Sequence, residues 1–219
     1  MKAELQQRKK RQNLYGQAMG DKGASTREKI LKATSMLMEK RGIRDLKVTE
    51  IGASAGVSSS TFYLYFEGVP QACLAVTKGI NQSSPEILEI LNRDWDASNI
   101  EENAKNFVKA YIAFWDSHSA ILRLRNFAAD EGDRDFFEAR KISLEPIHYG
   151  LQRQLKLFQE NDPHAPNLHI PSTASILLAM LERTAAVVRI PSIHKATRPR
   201  MLETAAFMIT STMTCPGNN

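Results

Sequence analysis

Residues 55–66, AGVSSSTFYLYF, leave the backbone few choices. Gly56 can take the left-handed backbone that stops a helix. Ser58 can cap a new one by accepting from free backbone N–H groups. Phe62 and Phe66 stand at i and i+4, so a helix places both rings on one face. Upstream, Val48, Ile51 and Ala55 recur at helical spacing. A short helix over about 48–55, a glycine turn, and a second short helix over about 59–65 follow from this spacing.

A longer helix is predicted ahead of them. Ser25 and Glu28 fit a capping box, and Ile30, Ala33, Thr34 and Leu37 repeat at helical spacing. Lys40 and Arg41 suit a helix C-terminus, with Gly42 just beyond, which gives a first helix over roughly 26–41. Two short helices joined by a tight turn behind a stabilising first helix make a helix-turn-helix. Residues 1–24 carry RKKRQ at 8–12 and little apolar periodicity, and read as a flexible basic arm.

Charge divides the chain unevenly. Residues 1–66 hold 13 Lys/Arg and 6 Asp/Glu, a net +7; the remainder holds 16 and 18, a net −2. The basic excess lies wholly in the first third, where a polyanion is the simplest partner and a solvated tail is the alternative. The two cysteines, Cys73 and Cys215, imply no disulfide framework and a reduced, cytoplasmic setting. No apolar run approaches the length that crosses a bilayer, and the polar N-terminus lacks a secretory apolar core.

Beyond residue 70 every periodic segment is helical: 70–94, 100–118, 119–131, 133–160, 172–190 and 197–213. Asn99 can cap the helix at 100, Gly132 can end that of 119–131, and Asp133 can cap the next. Pro85 and Pro146 are expected to kink or split their segments. ENDPHAPNLHIP (160–171) reads as a loop. The fold class is all-α.

The neutral hydroxyl run suits a helix entering the major groove, where Ser and Thr side chains approach bases and phosphates closely. Phe62 and Phe66 then anchor the helix and Tyr63 turns its hydroxyl elsewhere. Long-range attraction falls to the arm, Arg27, Arg44 and Lys47. The alternative is a capped amphipathic helix in an ordinary core.

The order of these features resembles the DNA-binding domain of the tetracycline-repressor (TetR) family of bacterial regulators. The likeness rests on RG (41–42), the Val-x-x-Ile of helix two, AGVS (55–58) and TFYLYF (61–66), within residues 26–66. RLRNFAADEGDRDFF (123–137) is similar to ligand-domain helices of some members. The resemblance implies a homodimer with a head at 25–70 and a larger ligand-binding and dimerisation body at 71–219. It implies a double-stranded, palindromic DNA operator and a small-molecule effector that releases it, hence a repressor; a constitutive DNA-binding protein without effector is the alternative. It places Ser59, Ser60 and Leu64 at base-facing positions and Thr61 and Tyr63 at phosphate-contact positions. Lys47, Thr49 and Ser58 complete the DNA-binding set. Lys47 replaces a capping Ser or Thr, Gly52 replaces a common alanine, and EGVPQ (67–71) lacks a lysine usual at the next helix start.

Enzyme chemistry finds no foothold. The five histidines show no metal-ligand spacing, Cys73 sits in an apolar run, and no phosphate loop or nucleophile elbow occurs. No cofactor or metal is expected. The carboxylates of ADEGD (129–133) suit a helix end and cap. Trp95, Phe107, Tyr111, Phe114 and Trp115 are either core or the wall of a pocket. The resemblance makes Trp95, Tyr111, Trp115, His118 and Asn126 the expected ligand residues. Ile176, Ala179, Met180 and Val187, with Met201, Ala205 and Met208, lie on helices apolar on more than one face. A dimeric four-helix bundle satisfies that, as does burial within one subunit.

Overall fold

The computed structural model describes residues 13–16, 18–40, 45–80, 85–190 and 194–214. Among them all regular structure is helical: α1 Asp21–Met38, α2 Val48–Ala55, α3 Ser59–Tyr63, α4 Val69–Ile80, α5 Pro85–Asn92, α6 Ile100–Asp130, α7 Arg134–Asn161, α8 Ile170–Val187 and α9 His194–Ser211. Two compact units emerge: residues 1–80 with 120–139, and residues 81–119 with 140–219. Ala72 of α4, just beyond the expected end of the head at 70, is buried in the same cluster as Ile30, Ala33, Ile51, Phe62 and Phe66. Helix α4 therefore completes the core of the head.

Helix α1 starts five residues earlier than expected. Gly20 precedes it in extended backbone and provides no side-chain cap. Ser25 and Glu28 thus lie inside the helix, and residues 21–24 belong to α1 rather than to the arm. RKKRQ, Gly42 and Arg44 lie outside the described residues. The turn between α2 and α3 is as the sequence implies. Gly56 is left-handed at φ 69°, and the Val57 N–H donates to the Gly52 carbonyl at 2.9 Å. A Cβ on Gly52 would stand 2.8 Å from the Val57 carbonyl oxygen. The glycine that replaces the usual alanine is thus matched by a close approach of backbone to backbone.

In the rest of the chain, α4 ends at Ile80, and Pro85 opens α5, where its missing N–H costs nothing. Helix α6 merges two expected helices, but its backbone leaves helical geometry at His118 (φ −127°, ψ 15°), where the sequence places the break. Gly132 ends α6 at φ 93°, and Asp133 Oδ1 accepts from the Asp135 and Phe136 amides at 3.0 and 3.2 Å, capping α7. Pro146 does not split α7, which runs unbroken from Arg134 to Asn161. Asn99 is no ordinary cap: its Oδ1 accepts from the Asp96 N–H and from the Asn103 side chain.

Cys73 is fully buried in α4, and that burial pushes its thiol up to about 12 from 9.0. A raised thiol stabilises the fold below its unfolded pKa. That contribution is lost as pH rises from about 9 toward about 12, because only the unfolded chain ionises there. In a Cys215→Ser background, Cys73 should react with a thiol reagent only as fast as the head opens. Cys73→Ala should flatten the fall in urea midpoint across that pH range. Rapid labelling of the native protein at neutral pH would show the thiol to be accessible.

Candidate nucleic-acid interface and ligand region

The head core fixes which side of α3 looks outward. Phe62 is 0% exposed and Phe66 nearly so, with ring centroids 5.6 Å apart. Arg27 of α1 lays its guanidinium over the Phe66 ring at 5.2 Å. Burial lowers the pKa of Arg27, and neighbouring Glu28 counters this. Arg27 therefore works as a stacked packing residue more than as the free cation the sequence suggests. With α3 held this way, Tyr63 is 47% exposed, and Leu64, Ser60, Thr49 and Lys47 are exposed beside it. Ser59 and Thr61 are half-buried.

Ser58 divides its work between structure and surface. Its Oγ accepts the Thr61 N–H at 3.1 Å and lies 3.0 Å from Thr61 Oγ1. It is the cap of α3, so its hydroxyl and that of Thr61 are already engaged. The exposed hydroxyls of Ser60 and Tyr63 and the half-buried hydroxyl of Ser59 remain as the polar groups toward the outer side of the helix. Lys47 stands at the α2 N-cap position without a side-chain cap bond, as a lysine must. In place of the lysine missing after Phe66, Gln71 reaches back to accept the Glu67 N–H at 2.7 Å, which orders the turn into α4.

The expected ligand residues part company. Trp95, Tyr111 and Trp115 are all buried. Trp95 meets Phe107 at 6.4 Å and Phe107 meets Tyr111 at 6.3 Å, a continuous series of core rings. His118 packs on Phe114 at 4.8 Å, with Nδ1 2.9 Å from the Phe114 carbonyl oxygen. Asn126 belongs to the other unit, where its Oδ1 accepts from the buried Arg125 side chain at 3.0 Å. A cleft of about 390 Å³ opens instead between α5 and α6. It is lined by Glu86, Glu89, Ile90, Arg93, Asn106, Lys109, Ala110 and Ala113, and by none of the five expected residues. The reason is helical phase. Positions 106, 110 and 113 form one stripe of α6, while Phe107 and Tyr111 lie about 100° further round on the core side.

What places Trp95 was missed in the sequence. Gln154 of α7 donates from Nε2 to the Leu91 and Arg93 carbonyls, each at 2.7 Å, and its Oε1 accepts the Trp95 N–H at 3.3 Å. Arg153 adds a bond to the Arg93 carbonyl at 3.0 Å and pairs with Asp94. One buried amide thus satisfies three backbone groups where α5 ends. A glutamine in a polar, charged helix carries no sign of that task. Equally unsigned are the Arg140–Glu182 pair (2.5 Å) and Asp116, which meets Arg189 at 2.9 Å and also Arg198. Among the described residues no cluster of three or more His, Cys, Asp or Glu is placed to hold a metal ion. No helix there is long and apolar enough to cross a membrane.

The family description "Tetracyclin repressor-like, C-terminal domain" matches residues 88–211, more than half of the chain, and "Bacterial regulatory proteins, tetR family" matches residues 30–68. The chain belongs to the TetR family. Its helix-turn-helix is that of the family's DNA-binding transcriptional regulators. The uncharacterized HTH-type transcriptional regulator YdgC of Bacillus subtilis is 43% identical to this chain over 49 residues. That match spans 22% of this chain and only 25% of YdgC. Fold similarity extends further. FadR of Bacillus subtilis, solved with stearoyl-CoA, aligns with a TM-score of 0.66 at 12% identity over 84% of this chain and 98% of its own. SmeT, repressor of a Stenotrophomonas maltophilia multidrug efflux pump, aligns with a TM-score of 0.62 at 14% identity over 88% and 94%. At such identities these two establish the TetR fold alone.

The two faces of α3 should respond differently to substitution. Phe62→Ala removes a fully buried anchor and should cost about 3–5 kcal/mol of head stability. Tyr63→Phe should leave the unfolding midpoint within error of the parent, since its ring is half outside. Chemical denaturation of both variants separates the faces; equal losses would mean that Tyr63 is also core. In the other unit, Gln154→Leu keeps volume but removes three hydrogen bonds and takes the Gln154 acceptor from the Trp95 N–H, while Arg153 still reaches the Arg93 carbonyl. A loss of about 2–3 kcal/mol is expected, with Trp95 fluorescence shifting to longer wavelength as the α5 end loosens.

Proposed function

We propose that the protein is a homodimeric regulator that binds a palindromic DNA operator through α2 and α3 and is released by a small-molecule effector. The observation that carries the first part is the division of α3. Phe62 and Phe66 face the core while Ser60, Tyr63 and Leu64 face out, beside Thr49 and Lys47 of α2. An outer face of short hydroxyls, one phenol and one lysine, with no acidic side chain on α3, fits phosphate and base edges. Ser59 and Ser60 are the base-reading positions in this reading, Lys47 and Tyr63 the phosphate contacts. Ser58 and Thr61 shape the helix start.

Dimerisation is assigned to α8 and α9. Ile176 is 68% exposed and Phe207 65%, with Ala179 and Met208 exposed and Met180, Val187 and Met201 half-buried. Apolar side chains of that size on helix faces call for a covering partner, and the two-fold copy of the same surface supplies it. Ala205 leaves the expected interface set: at 3% exposure it is already buried in its own chain, and Phe207 joins the expected Met208 on the open face.

Effector binding is assigned to the second unit, at the cleft between α5 and α6 where Arg93, Asn106 and Lys109 are candidate contacts in place of the buried Trp95, Tyr111 and Trp115, with α6 as the covalent route to the head. The interruption at His118 falls where that helix passes from one unit to the other. The stearoyl-CoA of FadR provides one compound for a first effector panel. The test is titration of the DNA upstream of the protein's own gene, with and without that panel. Ser60→Ala should change discrimination among operator variants by about 1–3 kcal/mol at one base pair. Ile176→Glu with Met208→Glu should yield monomers that bind the palindrome weakly. A dimer surviving both charges would move the interface elsewhere. DNA binding unaffected by every compound would favour the constitutive reading.

A further inference from the structure

Residues 13–16 meet the end of the recognition helix. The Leu14 N–H donates to the carbonyl of Leu64, the C-cap residue of α3, at 3.0 Å. With standard bond lengths, that bond keeps the two Cα atoms within about 7 Å and puts the Cα of Tyr15 within about 11 Å of that of Leu64. A tight turn fixes Tyr15 there. The Asn13 carbonyl accepts the Gly16 N–H at 3.0 Å, and Asn13 Oδ1 accepts the Tyr15 N–H at 3.1 Å. Gly16 takes the left-handed backbone (φ 75°) that favours glycine. These bonds engage the backbone of Leu14 and Tyr15 and leave both side chains outside: Leu14 is exposed, and Tyr15 is 71% exposed. Tyr63 and Leu64 are exposed on the adjoining helix. Four large exposed side chains, two leucines and two tyrosines, are thus gathered at the C-terminal end of α3. A gathering of that kind on an otherwise polar surface marks a place of contact.

We propose that Leu14 and Tyr15 extend the DNA-contact face of α3, with the Tyr15 hydroxyl donating to a backbone phosphate close to the one met by Tyr63. The inference rests on the operator-binding reading of α3. Continuity selects double-stranded DNA as the occupant, because Tyr63 and Leu64 belong both to this cluster and to the outward face of α3. Charge agrees. Residues 13–20 and 51–66 hold no charged side chain, and the next carboxylates along the chain are Asp21, followed by Lys22, and Glu67. No carboxylate within the cluster itself repels a phosphate. A phenol suits the sugar–phosphate backbone: its ring covers apolar surface while its hydroxyl reaches a phosphate oxygen. Leu14 adds apolar contact with a sugar or a thymine methyl group. Spacing permits both tyrosines to act on one strand. Their Cα atoms lie within about 15 Å of each other by the same bond lengths. Successive phosphates of a strand rise about 3.4 Å along the axis, so several fall within that span.

Tyrosine nitration of the full chain, read by mass spectrometry with and without a mixed-sequence DNA duplex at low salt, tests this directly. Tyr15, Tyr63 and Tyr149 are all exposed in the free chain, and Tyr149 belongs to the other unit, where it serves as the internal control. The duplex should protect Tyr15 and Tyr63 and leave Tyr149 reactive. Tyr15→Phe removes one exposed hydroxyl and should unfold as the parent does. It should weaken duplex binding by about tenfold, the value of one hydrogen bond to a charged group. The slope of log K against log salt should stay at the parent's value, because no cation is lost. Protection of Tyr63 with Tyr15 nitrated as in the free protein would overturn the proposal. So would a Tyr15→Phe protein that binds as the parent while Tyr63→Phe binds more weakly. A bound duplex that protects neither tyrosine, or a full chain that binds no duplex, would instead bring down the operator-binding reading of α3.

Discussion

The position of two phenylalanine rings decides the rest of the head. Phe62 and Phe66 pack together within a core built by Ile30 and Ala33 of α1, Ile51 of α2 and Ala72 of α4. A helix as short as α3 has no stability of its own. Its direction and roll come from those rings, with Arg27 closing over Phe66. Once they are buried, helical geometry leaves Ser60, Tyr63 and Leu64 on the opposite side. The binding face is thus a consequence of the packing face. The close turn at Gly52 and Val57 holds α2 at the distance this requires.

In the second unit, polar side chains settle the geometry that apolar ones fill. Gln154 and Arg153 tie the end of α5 to α7, while Arg140 and Glu182 join α7 to α8. Asp116 holds Arg189 and Arg198 from two other stretches of chain. Gly150 permits the same closeness: a Cβ there would meet Leu91 at 2.8 Å. Charge pairs of this kind, partly desolvated, add little net stability but penalise alternative packings that would leave one partner alone. Gln154 also accepts the backbone N–H of Trp95, the first ring of the series Trp95–Phe107–Tyr111.

Much was legible along the chain because its signals are local. Gly56 and Ser58 announce the turn and the cap, and both act within a few residues of themselves. Phe62 and Phe66 share a face because the helix repeats, whatever surrounds it. Gly132 and Asp133 mark the α6–α7 junction for the same reason. The helical class, the helix-turn-helix and its anchors needed only spacing and backbone chemistry.

Tertiary structure decided what depends on partners distant in sequence. Ser25 and Glu28 have the spacing of a capping box, yet α1 begins at Asp21, since helix starts depend on what precedes and covers them. Pro146 disrupts α7 less than its chemistry suggests. Ala205 and Ile176 look equally suited to an interface, and only packing within the chain puts one inside and the other out. Likewise, no periodicity distinguishes the α6 stripe that packs as core from the stripe that lines the cleft; the neighbouring helices make that choice. A side chain's type and spacing determine what it can do locally. Which of those possibilities it takes is settled by groups dozens of residues away, and local spacing carries no trace of them.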